Sequence, residues 1–204
     1  MSNILSNQEL QLLALLEDLE DKGYDPPYTE SRLVQLNGPT TKTSLTTLTR
    51  LGLVTRTKKG LIYPQEAGLD RFTREQDIVY EKALSEIKVG SKSSHWMWYI
   101  FPQLKGLGSS PSSRFFSIKD KTEASEYLSH PILGKRLKEA NEELLKVEDK
   151  TAKDILGTTD SLKLKSSATL FASISPTGSV FHRVLDKHFG GESDSTTLEL
   201  LNTK

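Results

Sequence analysis

The sequence predicts a mainly α protein in two parts. A small N-terminal unit of three helices plus a β-hairpin spans residues 1–68, and an all-α helical domain spans residues 69–204. Apolar residues recur at helical spacing through most of the chain. Almost nothing beyond residue 70 alternates with period two. The strand-like pieces "LVTR" and "LIYP" sit on either side of a "TKKG" turn.

The elements follow in order. From Gln8 to Leu19, the leucines at 10, 12, 13, 15, 16 and 19 fall on one broad helical face. Asn7 is placed to cap this helix and Gly23 to end it. "GYDPP" is a turn, because proline removes a donor and pushes the residue before it out of the helical region. A second helix fits Thr29 to Leu36, with Thr29 as its cap and Asn37-Gly38 as its stop. A third runs from Pro39 or Thr40 to Leu51, with Leu45, Leu48 and Leu51 inward. Gly52 ends it, and the hairpin follows.

Three helices and then a hairpin is the order of a winged helix-turn-helix, and the resemblance covers about Ser6 to Pro64. "LTTLTRLGLVTRTKKG" resembles the recognition helix and wing of many bacterial regulators. Lys42, Arg50, Arg56, Lys58 and Lys59 all lie on that helix or wing, while the acidic residues crowd the first helix and the turn after it. A basic edge of this kind suits the phosphates of double-stranded DNA. Winged helices also dock proteins, so a protein partner stands beside DNA as an expectation.

The second part restarts helical periodicity after "QEAGLD". "DRFTREQDIVYEKALSEIKVG" places Phe72, Val79, Ala83, Leu84 and Ile87 near one face, with Gly90 as its stop. "SHPILGKRLKEANEELLKV" has Pro131 at an early helical position and Leu133, Leu137, Ala140, Leu144 and Val147 inside. "TAKDILG" carries a Thr151–Asp154 capping pair. "GSVFHRVLDKHFGG" turns Phe181, Val184, Leu185 and Phe189 inward, and Asp194 caps a last turn through Leu201.

Taken together, "SHWMWYIFPQLKGLG", "YLSHPILGKRL", "DSLKLKSSATLF" and "VLDKHFGGESDSTTLELL" resemble one bacterial family in a single register from about Asp70 to Leu201. This is the domain of unknown function numbered eighteen-ten, often labelled "calpastatin". Ala168 stands where the family pattern has Met. The resemblance implies an all-helical fold and brings no activity with it. The N-terminal unit lies outside the usual family domain.

Charge is balanced at 27 basic against 27 acidic residues, so no global field marks the chain for nucleic acid. Without cysteine there is no disulfide framework, thiol nucleophile or thiolate metal site. The N-terminal stretch lacks the basic segment of a signal peptide. No apolar run reaches the roughly 18 residues of a membrane span. A cytoplasmic protein without membrane contact is the expectation.

Candidate chemistry sits in three motifs. In the aromatic block, Trp96, Tyr99 and Ile100 share a side and Trp98 points elsewhere, so the block is core with one edge on a pocket. His95, at its boundary, fits either a structural hydrogen bond or acid–base work. "KGLGSSPSSR" is either a connecting loop or an anion cradle built on Gly106, Gly108 and Arg114, without the ending of a P-loop. In "DSLKLKSSATLF", Lys163, Ser166 and Ser167 can hold a phosphate or carboxylate, or Asp160 is an N-cap and the serines allow close packing. His182 and Asp186 at i, i+4 are too few for a metal site, and no cofactor is expected.

The reading is a binding or sensor protein. A small anionic or nucleotide-like ligand lies against Trp96, Trp98, Gln103, Gly106, Gly108, Arg114, Ser166 and Ser167, and the winged helix reports to DNA or a partner. One alternative is an enzyme on such a ligand, with His95 as acid or base and Lys163 stabilising developing charge. The other is an adaptor with no ligand.

Overall fold

A computed structural model describes residues 5–21, 28–50, 54–56, 61–64 and 68–203. Helix α1 (Asn7–Asp21) buries Leu10, Leu12, Leu13 and Leu16. Its cap is Ser6 rather than Asn7. The Ser6 N–H donates to Glu9 Oε2 at 2.7 Å and the Glu9 N–H donates to Ser6 Oγ at 3.4 Å, a reciprocal pair that satisfies two orphan donors. The expected stop at Gly23 lies outside the described residues.

Strand β1 (Tyr28–Thr29) leads into α2 (Glu30–Asn37), where Thr29 Oγ1 accepts from the Arg32 N–H at 3.2 Å as expected. Gly38 ends the helix at φ 88°, a value that favours glycine. Helix α3 (Thr41–Arg50) turns Leu45 and Leu48 inward, and β2 (Val54–Arg56) pairs antiparallel with β3 (Leu61–Pro64). Strand β1 joins the far edge of β3, so the sheet order is β1-β3-β2.

The second part is helical apart from one isolated parallel bridge, Leu104 to Ile118, among the described residues. It comprises α4 (Asp70–Val89), α5 (Met97–Ile100), α6 (Pro111–Phe115), α7 (Lys121–Ser129), α8 (Leu133–Lys146), α9 (Ala152–Leu156), α10 (Thr158–Ala172), α11 (Val180–Phe189) and α12 (Ser195–Thr203). Helix α10 runs through the middle, packed by α7, α9, α11 and α12, and is buried from Ser166 to Ala172. Helices α4 and α11 pack on α8. The first part joins the second through α1, which packs on α6.

A line of aromatic rings crosses the core. Phe72 meets Tyr127 edge-on at 5.0 Å, Tyr127 meets Phe171 at 5.6 Å, and Phe171 meets Phe181 at 5.5 Å. Three expectations change here. The segment expected as a connecting loop or an anion cradle holds α6, capped by Ser110, whose Oγ accepts from the Ser113 N–H. Helix α8 starts at Leu133, beyond Pro131, because His130 Nδ1 accepts from the N–H groups of Ile132 and Leu133. Asp160 lies within the first turn of α10, so it is not the cap.

Candidate functional site

The aromatic block is hung from one carboxylate. Glu86, on the last turn of α4, accepts from the backbone N–H and the hydroxyl of both Ser93 and Ser94, and from Trp96 Nε1 at 2.8 Å. Burial opposes its charge, but these donors outweigh burial and take the carboxyl down to about 2. The loop "SSHW" is therefore fixed at three of its four residues. Trp96, Met97 and Phe101 are core, each 1% exposed.

Trp98 is the ring the core does not swallow. It is half-buried and walls a cleft of about 480 Å³ together with Gln103, Gly106, Gly108, Lys163 and Ser166. Three distant stretches of sequence thus converge on one cleft. The Lys163 ammonium stands 4.6 Å from the Trp98 ring centroid and 2.7 Å from Asp160 Oδ1. Lys92 bonds the other oxygen, Asp160 Oδ2, at 2.7 Å and lies 5.2 Å from the Trp96 ring centroid. Burial opposes the charge on Asp160, but the two ammonium groups outweigh it and hold its carboxyl below the ordinary value.

The far wall belongs to α12. Asp194 Oδ2 accepts from the Thr197 N–H at 2.9 Å and from Ser166 Oγ at 3.2 Å, so it is the cap the sequence suggested and also a cleft residue. Hydroxyls of Ser109, Ser110, Ser113, Thr159 and Thr196 and the side chains of Leu107 and Leu162 complete the lining. A Cβ on Gly108 would stand 2.4 Å from the Ser113 side chain, so glycine there lets α6 close over the loop. Asp160, Asp194 and Thr159 were missed as site residues. The Asp160–Lys163 spacing of three was a usable signal.

Four expected residues are elsewhere. Trp96 and Ser167 are sealed in the core at 1% and 2% exposure. Arg114 is exposed and outside the cleft wall. His95 is exposed, makes no side-chain hydrogen bond among the described residues, and lines a different cavity beside α1. The histidine that caps a backbone is His130. His95, expected as acid or base, and Lys163, expected to stabilise developing charge, line separate cavities.

His182 Nδ1 lies 2.8 Å from Ser179 Oγ at the start of α11, and the described residues contain no metal-binding cluster of acids and histidines. Of the expected DNA-contacting residues, Lys42 is exposed at the start of α3 and stands 3.9 Å from Glu30. The side chains of Arg50 and Arg56, and Lys58 and Lys59 entirely, lie outside the described residues.

Residues 66–201 match the model of the family described as a protein of unknown function, DUF1810, and the chain belongs to that family. It is similar to the crystal structure of the conserved hypothetical protein Rv1873 from Mycobacterium tuberculosis. The two are 41% identical with a TM-score of 0.65, over 67% of this chain and 97% of that one. No curated protein matches the chain.

Proposed function

We propose that the helical domain is a binding module for a small anionic, nucleotide-like ligand held in the cleft between Trp98 and α10. The observation that carries this reading is the convergence of Trp98, Gln103, Gly106, Gly108, Lys163 and Ser166 on one cleft. An indole face offers stacking to a flat ring. Lys163 gives one of its three donors to Asp160 and keeps others for an anion. The hydroxyls around the rim suit a sugar. His95 is not part of this cleft, which favours binding over the acid–base enzyme.

A thermal-shift titration of the full chain with AMP, ribose 5-phosphate and inorganic phosphate tests the reading. Stabilisation by AMP, lost in Lys163→Ala and Trp98→Ala while the unliganded melt stays cooperative, is the expected result. No stabilisation by any of the three, or a shift that survives both substitutions, would overturn it.

The N-terminal unit is read as a winged helix over Ser6 to Pro64, on the order α1-β1-α2-α3-β2-β3 and the β1-β3-β2 sheet. It precedes the family match, which begins at residue 66. Exposed Lys42 suits a phosphate contact, and a protein partner is the second reading of the same surface. Salt-sensitive binding of duplex DNA that weakens in Lys42→Glu supports DNA, and its absence at low ionic strength leaves the protein partner.

A further inference from the structure

A second cavity, of about 620 Å³, lies where the two parts of the chain meet. Leu5 and Leu10 wall it from the α1 side, Ile78 and Val79 from α4, and Trp98 from α5. Its size is that of a small-molecule site. The cleft beside Lys163 is ringed with hydroxyls. This cavity is walled largely by aliphatic and aromatic side chains, with Asn7, Ser94 and Ser112 beside them.

Among the described residues its one charged side chain is Lys82. Lys82 and His95 both line it and both are exposed, and no Asp or Glu does so among the described residues. Neither Lys82 nor His95 makes an ion pair or side-chain hydrogen bond among the described residues. An apolar wall with an unpaired cation and an imidazole at its edge complements a molecule with a flat apolar body and one acidic group.

We infer that this cavity is a binding site for an aromatic acid, its rings against Ile78, Val79 and Trp98 and its acid group at Lys82 and His95. The site is assembled from α1 and from α4–α5, so an occupant ties the N-terminal unit to the family domain.

The probe is 8-anilinonaphthalene-1-sulfonate, an aromatic acid that fluoresces when its rings leave water, titrated into the full chain. Saturable binding at one site is expected. Lys82→Glu, a change at an exposed position, weakens it about tenfold by placing like charge at the acid group. Val79→Trp fills the cavity and removes the saturable phase. Ile78→Glu carries the same test at a side chain already 41% exposed, should the tryptophan variant fail to fold by circular dichroism. Thr196→Glu, at an exposed position that lines only the cleft beside α10, leaves the affinity unchanged, which separates this site from that cleft. The inference is overturned by non-saturable binding, by affinities within about twofold of the parent in both Lys82→Glu and Ile78→Glu, or by loss of binding in Thr196→Glu.

Discussion

Glu86 and Trp96, ten residues apart, are joined by a 2.8 Å hydrogen bond from the indole Nε1 to a carboxylate oxygen that also accepts two backbone N–H groups. One side chain thus fixes the entrance to α5 and, through it, the placing of Trp98. In Glu86→Gln an amide N–H₂ faces donors that need an acceptor, and the expected loss of stability is about 2–4 kcal/mol. Urea unfolding followed by circular dichroism measures it. The folded pKa, about 2, lies below the ordinary 4.5. Glu86 therefore stabilises the fold fully above pH 4.5, and the contribution disappears as pH falls through about 2.

Glu75 behaves in the opposite sense. It is 3% exposed, one of its oxygens has no partner among the described residues, and burial raises its pKa from 4.5 to about 7 against the Leu5 backbone N–H that lowers it. The native state then binds a proton more tightly than the unfolded chain. Its contribution is complete below pH 4.5 and is lost as pH rises to about 7, by about 3 kcal/mol in total. In Glu75→Gln the melting temperature should hold level between pH 5 and 8, where the parent declines. A parent that shows no decline sinks this prediction.

Helices α7 and α8 touch backbone to backbone. A Cβ on Gly134 would lie 2.0 Å from the carbonyl oxygen of Leu128. Gly134→Ala must push the helices apart and should cost more than about 3 kcal/mol. Gly157, at φ 83° with nothing within 4 Å of an added Cβ, isolates the cost of backbone conformation alone. At ψ 166° this is a region open essentially only to glycine, and Gly157→Ala should cost about 1–3 kcal/mol. Thermal melts of the two variants side by side check both values.

Asp160 pairs with Lys163, which lines the cleft, and with Lys92. Asp160→Asn removes the negative charge from between Lys92 and Lys163, so phosphate-bearing ligands should bind about three- to tenfold more tightly, and less so in high salt. The same change should cost the unliganded protein about 1–2 kcal/mol. Calorimetric titration with AMP measures the first and urea unfolding the second. Weaker AMP binding in Asp160→Asn would mean that the carboxylate contacts the ligand.

Local signals were legible in the sequence. Thr29, Gly38, Thr151 and Asp194 punctuate their helices as expected, because a cap is decided within four residues. The family was legible too, through motifs spread over the second part. Strand β1 was not, since two residues carry no period and only pairing with β3 makes them a strand. Ser166 and Ser167 sit three and four residues beyond Lys163, and spacing alone accepts both. The packing around α10 sends Ser166 to the cleft and Ser167 to the core. Glu86 was not singled out in the sequence, because its partners come from a loop that folds back over it.

Trp98 is a wall of both cavities, the one beside Lys163 and the one beside His95. A single indole cannot be positioned for one occupant without being positioned for the other. Wherever the first molecule moves or steadies that ring, the second meets an altered affinity, and linkage requires the effect to be mutual and equal in free energy. With only two tryptophans in the chain and the other sealed in the core, intrinsic fluorescence would register either molecule arriving. The party wall is thus a potential site of heterotropic cooperativity that carries its own optical reporter.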